Sequence, residues 1–132
     1  MTEADYSGFM AKKVDVSAMV AAVNAVREQI AAGETPPRDE LAAAVRLSAR
    51  YLAQIAPGHS VELRVPPFVA VQLIEGPRHT RGTPPNVVET SPVEWLRLVL
   101  GLVSFAQSVD AAATSASGHL AGEIGKNLPL VK

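Results

Sequence analysis

The sequence predicts an α+β domain in which helices cover one sheet. Residues 14–33 and 41–55 carry apolar side chains at helical spacing, residues 59–65 alternate between apolar and polar, and residues 91–94 form a strong helix start. A helical stripe and a half-buried strand each need a covering surface, and packing them together satisfies both. We expect two helices, two or three strands, a third helix, a short fourth helix, another strand and an apolar tail.

The first half of the chain has the pattern of a helical hairpin. Asp15 is a suitable N-cap and Gly33 a suitable C-cap for the first helix, and the prolines at 36 and 37 suit the start of the second. The first stripe consists of Val16, Met19, Val20, Val23, Val26 and Ile30, and the second of Leu41, Val45, Ser48, Leu52 and Ile55.

The strands follow the hairpin. Residues 59–65 alternate as a half-buried strand does, and Pro66-Pro67 ends that run because proline cannot donate to a ladder. Residues 68–74 are apolar on both faces apart from Gln72, which predicts a more central strand. Residues 87–89 predict a short third strand.

The second half begins with a helix-start signature. Ser91 fits the N-cap, Pro92 the first helical position and Glu94 the position that closes a capping box. The buried stripe of this helix consists of Trp95, Leu96, Val99 and Leu102. A short helix is expected at 104–110, then a hairpin or bent strand in which 114–117 and 119–121 flank Gly118, and a tail, 127–131, that docks on the body.

Length and charge limit the classes of protein to which the chain can belong. The 132 residues fit a polar leader at 1–13 and one domain at 14–132. The formal net charge is -1 and aromatic residues make up 5%, which argues against nucleic-acid binding. The apolar run 96–106 is too short to span a bilayer and contains Arg97. With no cysteine and no signal-peptide pattern at the start, we expect a cytoplasmic protein without disulfides.

The segment 78–86 holds the densest group of charged and hydrogen-bonding residues. Arg78, His79 and Arg81 could form an anion site, because guanidinium forks and backbone donors at a glycine suit phosphate or carboxylate. The alternative is structural, with Arg64, Arg78 and Arg81 paired to Glu62, Glu75 and Glu89. The absence of a Walker or dinucleotide fingerprint favours the structural interpretation.

No pattern of residues indicates an enzyme. The histidines at 59, 79 and 119 form no metal-binding motif, no G-x-S-x-G element is present, and nothing indicates a cofactor. An acid/base site formed by the carboxylates of Glu75, Glu89 and Glu94 stays open as an alternative, although these residues are better partners for arginines and a helix cap. Trp95, the one tryptophan, would line a ligand cavity or simply fill the core.

The run RVPPFVAVQLIEGPRHTRGTPPNVVETSPVEWLRLVLG, residues 64–101, resembles the small sterol-carrier-like proteins of actinobacteria, and SASGHLAGEIGKNLPLV resembles the last part of sterol-carrier domains. The resemblance covers about residues 14–131. It implies a sheet of about five strands covered by helices, with an apolar tunnel between the layers. The GPRHTRGTPP loop departs from the lipid-carrying members and could close that tunnel.

Three functions follow from these observations. The first is a non-catalytic module that binds a lipid or other hydrophobic small molecule, with Leu52, Phe68, Trp95, Leu96 and Val99 as lining residues. The second is an accessory domain with a filled core that contacts a protein partner or a second copy of the chain. The third is an enzyme acting on an anionic substrate at the arginine-rich loop.

Overall fold

The computed structural model describes residues 13–76 and 86–132. The predicted leader, apart from Lys13, and the loop residues Arg78, His79 and Arg81 lie outside these ranges. The helices are α1 (Val16–Ala31), α2 (Arg38–Ile55), α3 (Pro92–Val99), α4 (Phe105–Asp110) and a 3-10 helix (Ala121–Asn127). The strands are β1 (Val61–Val65), β2 (Val69–Leu73), β3 (Val87–Thr90) and β4 (Thr114–Ser117). The α+β class is therefore confirmed.

The four strands form one mixed sheet in the order β2-β1-β3-β4. β1 runs antiparallel to β2 and parallel to β3, and β3 runs antiparallel to β4. The described residues thus hold four strands rather than the expected five or so. The prediction of a hairpin or bent strand around Gly118 is confirmed only for β4. Residues 119–121 form no strand, because the chain turns there into the 3-10 helix.

The prediction that the second strand is central is wrong. β2 lies at one edge of the described sheet, and its neighbour β1 is internal. The apolar run in β2 suggests burial on both faces, but Ala70 is exposed on the same face as the exposed Gln72. Only Leu73 of β2 is fully buried, whereas Val61, Leu63 and Val65 of β1 all are.

The helices cover one face of the sheet and enclose the core against it. The register aligns Leu63 of β1 with Val71 of β2 and Val88 of β3, so all three lie on the covered face. α1 packs mainly on α2, and α2 packs on β2 and α3. The opposite face carries Glu62, Arg64 and other polar residues, as the alternation in β1 predicts.

The ends of α1 form as the sequence predicts. The Asp15 side chain accepts a hydrogen bond from the Ser17 amide at 3.2 Å. At the other end, Ala32 is the C-cap and Gly33 follows it with φ 77°, a conformation that glycine adopts without a steric penalty. The Glu34 amide then donates to the Gln29 carbonyl at 2.8 Å and closes the helix.

The start of α3 confirms one half of the predicted capping box. The Ser91 hydroxyl accepts a hydrogen bond from the Glu94 amide at 3.2 Å, and Pro92 occupies the first helical position. The Glu94 carboxylate does not return to Ser91, because it binds Arg97 and Ser108 instead. A complete capping box occurs at α4, between Ser104 and Gln107.

Loss of the α3 cap should have a modest and measurable effect. Ser91→Ala leaves the Glu94 amide without its side-chain acceptor, so we expect a loss of about 1 kcal/mol in the free energy of unfolding. Urea unfolding followed by circular dichroism measures it, with Ser17→Ala on the exposed face of α1 as the control. A loss no larger than that of the control would contradict the assigned cap.

The tail docks on α3 as predicted. The amides of Leu130 and Val131 donate to the Val99 carbonyl at 2.9 and 3.1 Å, and the Val131 side chain is buried. Arg27 of α1 donates to the Lys132 carbonyl at 3.0 Å. The last residues therefore connect α1 to the end of α3.

Candidate functional site

Four of the five side chains predicted to line a ligand cavity meet in the interior. Leu52 comes from α2, and Trp95, Leu96 and Val99 come from α3; each has 0% of its surface exposed. They belong to one apolar cluster between the helices and the covered face of the sheet. The helical stripes that the sequence displays therefore bring these residues together.

The polar edge of Trp95 has a partner inside this apolar cluster. Its indole Nε1–H donates to the Ser48 hydroxyl of α2 at 2.8 Å. Ser48 is itself fully buried and donates to the Ala44 carbonyl at 2.7 Å. Both polar groups are satisfied, so Trp95 is held in one orientation without any ligand.

Phe68 packs against the edge of the same apolar cluster and is not fully buried in it. It follows Pro66-Pro67 in the turn between β1 and β2 and is half-buried. The guanidinium carbons of Arg38 and Arg46 lie 5.1 and 5.6 Å from the centre of its ring. Phe68 therefore lies beside α2 at the edge of the apolar cluster.

A buried polar cluster joins α3, α4, β3 and β4, and it was not predicted from the sequence. The Glu94 carboxylate accepts hydrogen bonds from Arg97, at 2.7 Å, and from the Ser108 hydroxyl. Ser108 contacts Thr114 at 2.7 Å, and Thr114 donates to Thr90 at 2.9 Å. Each member except Arg97 is buried. Nothing in the spacing of these residues predicts the cluster, because their contacts are tertiary.

A second buried polar residue ties strand ends together. Asn86 has 0% of its surface exposed, and its amide nitrogen donates to the Ser60 carbonyl at 2.7 Å. Its side-chain oxygen accepts from the Leu120 amide at 2.9 Å. Asn86 thus links the starts of β1 and β3 to the chain after β4, which is a structural role.

The ion pairs proposed for the arginines are seen in part. Arg64 pairs with Glu62 at 2.8 Å, as expected, and Glu94 pairs with Arg97 at 2.7 Å. Glu75 and Glu89 are exposed. The predicted anion site at Arg78, His79 and Arg81 lies outside the described residues, so this interpretation stays a prediction.

Among residues 13–76 and 86–132, the surface carries shallow grooves. One, of about 490 Å³, runs beside the turn between β1 and β2 and is lined by Arg64, Pro66, Pro67, Phe68, Val69, Ala70 and Glu89. Within the same ranges, no three His, Asp or Glu side chains cluster as metal ligands would. None of the helices described there is long and apolar enough to cross a bilayer.

Comparison with known families decides the assignment. Residues 37–130 match the family model described as bacterial SCP ortholog. The chain belongs to this family. The predicted sterol-carrier-like family is therefore confirmed, and the matched region runs from the start of α2 to the docked tail. No curated protein matches the sequence.

Proposed function

We propose that this chain is a non-catalytic module that binds a lipid or other hydrophobic small molecule between its helices and its sheet. The observation that carries the proposal is the interior cluster of Leu52, Trp95, Leu96 and Val99, which lies between the two layers of a sterol-carrier-like chain. Such an interior is aliphatic with one aromatic wall, which is the lining that apolar ligands require.

Entry of a ligand requires the two layers to separate. The four side chains have no exposed surface, so an acyl chain can reach them only if α3 moves away from the sheet or from α2. α3 has only eight residues, and its C-terminal end is fastened by the tail through the Val99 carbonyl. We therefore expect binding to be slow compared with diffusion, and limited by this opening.

Native mass spectrometry tests the proposal. The protein is purified without detergent, stripped of lipid, and mixed with a fatty acid or a fatty acyl-CoA. We expect one added molecule per chain, and a smaller fraction of complex for Val99→Phe, because the larger ring occupies interior volume. Val16→Phe on the exposed side of α1 is the matched control and should bind as the wild type does. Equal binding by both variants would place the ligand outside the interior.

A second candidate function is an accessory domain with a filled core. It is supported by the complete burial of the same four side chains and by the satisfied hydrogen bond of Trp95. In that case no lipid should bind, and overpacking by Val99→Phe should cost about 1–3 kcal/mol in the free energy of unfolding. The absence of any lipid complex would favour this candidate.

A further inference from the structure

We propose that Arg38 and Arg46 of α2, whose guanidinium groups both lie over the Phe68 ring, form a binding site for a phosphate group. The two arginines belong neither to the predicted anion site at Arg78, His79 and Arg81 nor to the interior cluster. The phosphate site does not depend on the proposed hydrophobic ligand.

The arrangement of the arginines on α2 is the first observation. Positions 38, 42, 46 and 50 lie four residues apart, so they form one row along the helix. Three of these positions are arginine, and the fourth is the small and buried Ala42. Arg46 and Arg50 lie four residues apart, so their like charges repel one another, and an anion bound at Arg46 would relieve that repulsion.

The positioning of the two guanidinium groups is the second observation. Their carbons lie 5.1 and 5.6 Å from the centre of the Phe68 ring, within the range of cation–π contacts. Arg46 also donates through Nε to the Phe68 carbonyl at 3.3 Å. Exposed arginine side chains otherwise sample many rotamers, so these contacts lower the entropy lost when a ligand binds.

The charge around the site is the third observation. Within residues 13–76 and 86–132, no carboxylate forms an ion pair with Arg38, Arg46 or Arg50. The acidic residues of the first turn, Asp39 and Glu40, are exposed and do not pair with them. Among these described residues the guanidinium groups of the two arginines have no acidic partner, and their N–H donors match the oxygens of a phosphate.

The experiment uses the full chain and two probes. Inorganic phosphate is titrated at constant ionic strength while the Arg Nε–H resonances are followed by NMR. Vesicles of phosphatidylcholine, with or without phosphatidylglycerol, are sedimented with the protein. Saturation with inorganic phosphate alone identifies a soluble phosphate compound as the ligand, and binding that also requires phosphatidylglycerol identifies a lipid head group. Either result supports the site if it depends on Arg46.

Two variants distinguish specific binding at the site from a general effect of net charge. Arg46→Gln and Lys126→Gln each remove one positive charge, and Lys126 lies in the 3-10 helix. We expect Arg46→Gln to weaken binding roughly tenfold and Lys126→Gln to change it little. Phe68→Leu keeps every charge but removes the ring, so it should also weaken binding. Equal effects of the two charge variants, or no binding in either arm, would overturn the proposal.

Discussion

Gly58→Ala should abolish or severely weaken folding. Gly58 has φ 150°, which side chains other than glycine rarely adopt, and an added Cβ would lie 2.0 Å from the Ile74 carbonyl oxygen. That oxygen belongs to backbone that the Ser60 amide fixes with a 3.1 Å hydrogen bond, so it cannot move aside cheaply. We expect a loss of at least about 3 kcal/mol in the free energy of unfolding.

Chemical unfolding of Gly58→Ala beside Gly122→Ala measures this effect. A Cβ at Gly122 meets nothing within 4 Å, so the control should stay close to the wild type. A Gly58→Ala protein that unfolds at the same urea concentration as the control would show that the backbone before β1 does not approach the backbone after β2 as closely as described.

Trp95→Ala should cost about 3–5 kcal/mol in the free energy of unfolding, because it removes the largest fully buried side chain of the described core. Part of this cost belongs to the hydrogen bond with Ser48. Ser48→Ala alone leaves the indole N–H buried without an acceptor, for a cost of about 1–3 kcal/mol. Circular dichroism provides the readout, since the variant lacks the one tryptophan.

A double-mutant cycle isolates the hydrogen bond. Trp95→Phe should destabilise the wild type more than it destabilises Ser48→Ala, because the N–H has already lost its partner there. Leu102→Ala, at a position 45% exposed, serves as the control and should have little effect. Additive effects of Ser48→Ala and Trp95→Phe would contradict a stabilising contact between the two side chains.

Local features of this fold could be predicted because their partners are close in sequence. Asp15 and Ser91 cap helices through amides two or three residues away, and Gly33 ends α1 by its own conformation. The position of β2 in the sheet depends on which strands pair, and Ala70 and Gln72 carry no local sign of an edge. Pairing of strands is a property of the whole chain.

The candidate site, like the fold, could be predicted where it depends on helical periodicity and not where it depends on tertiary contacts. Leu52, Trp95, Leu96 and Val99 belong to helical stripes, and stripes reveal which faces are buried. The sequence does not explain why a polar residue, Ser48, occupies such an apolar stripe, because its hydrogen-bond partner Trp95 lies 47 residues away. Phe68 packs against the core only from its edge, because it lies in the turn after Pro66-Pro67 beside α2.

Quenching of Trp95 by a spin-labelled fatty acid tests the central proposal most directly. A nitroxide on the acyl chain quenches tryptophan emission only at short range, and Trp95 is the one tryptophan in the chain. If the acyl chain binds between the helices and the sheet, quenching should saturate at one fatty acid per chain, and excess unlabelled fatty acid should restore the emission. Emission that stays unchanged below the concentration at which the fatty acid forms micelles would contradict hydrophobic ligand binding in the interior.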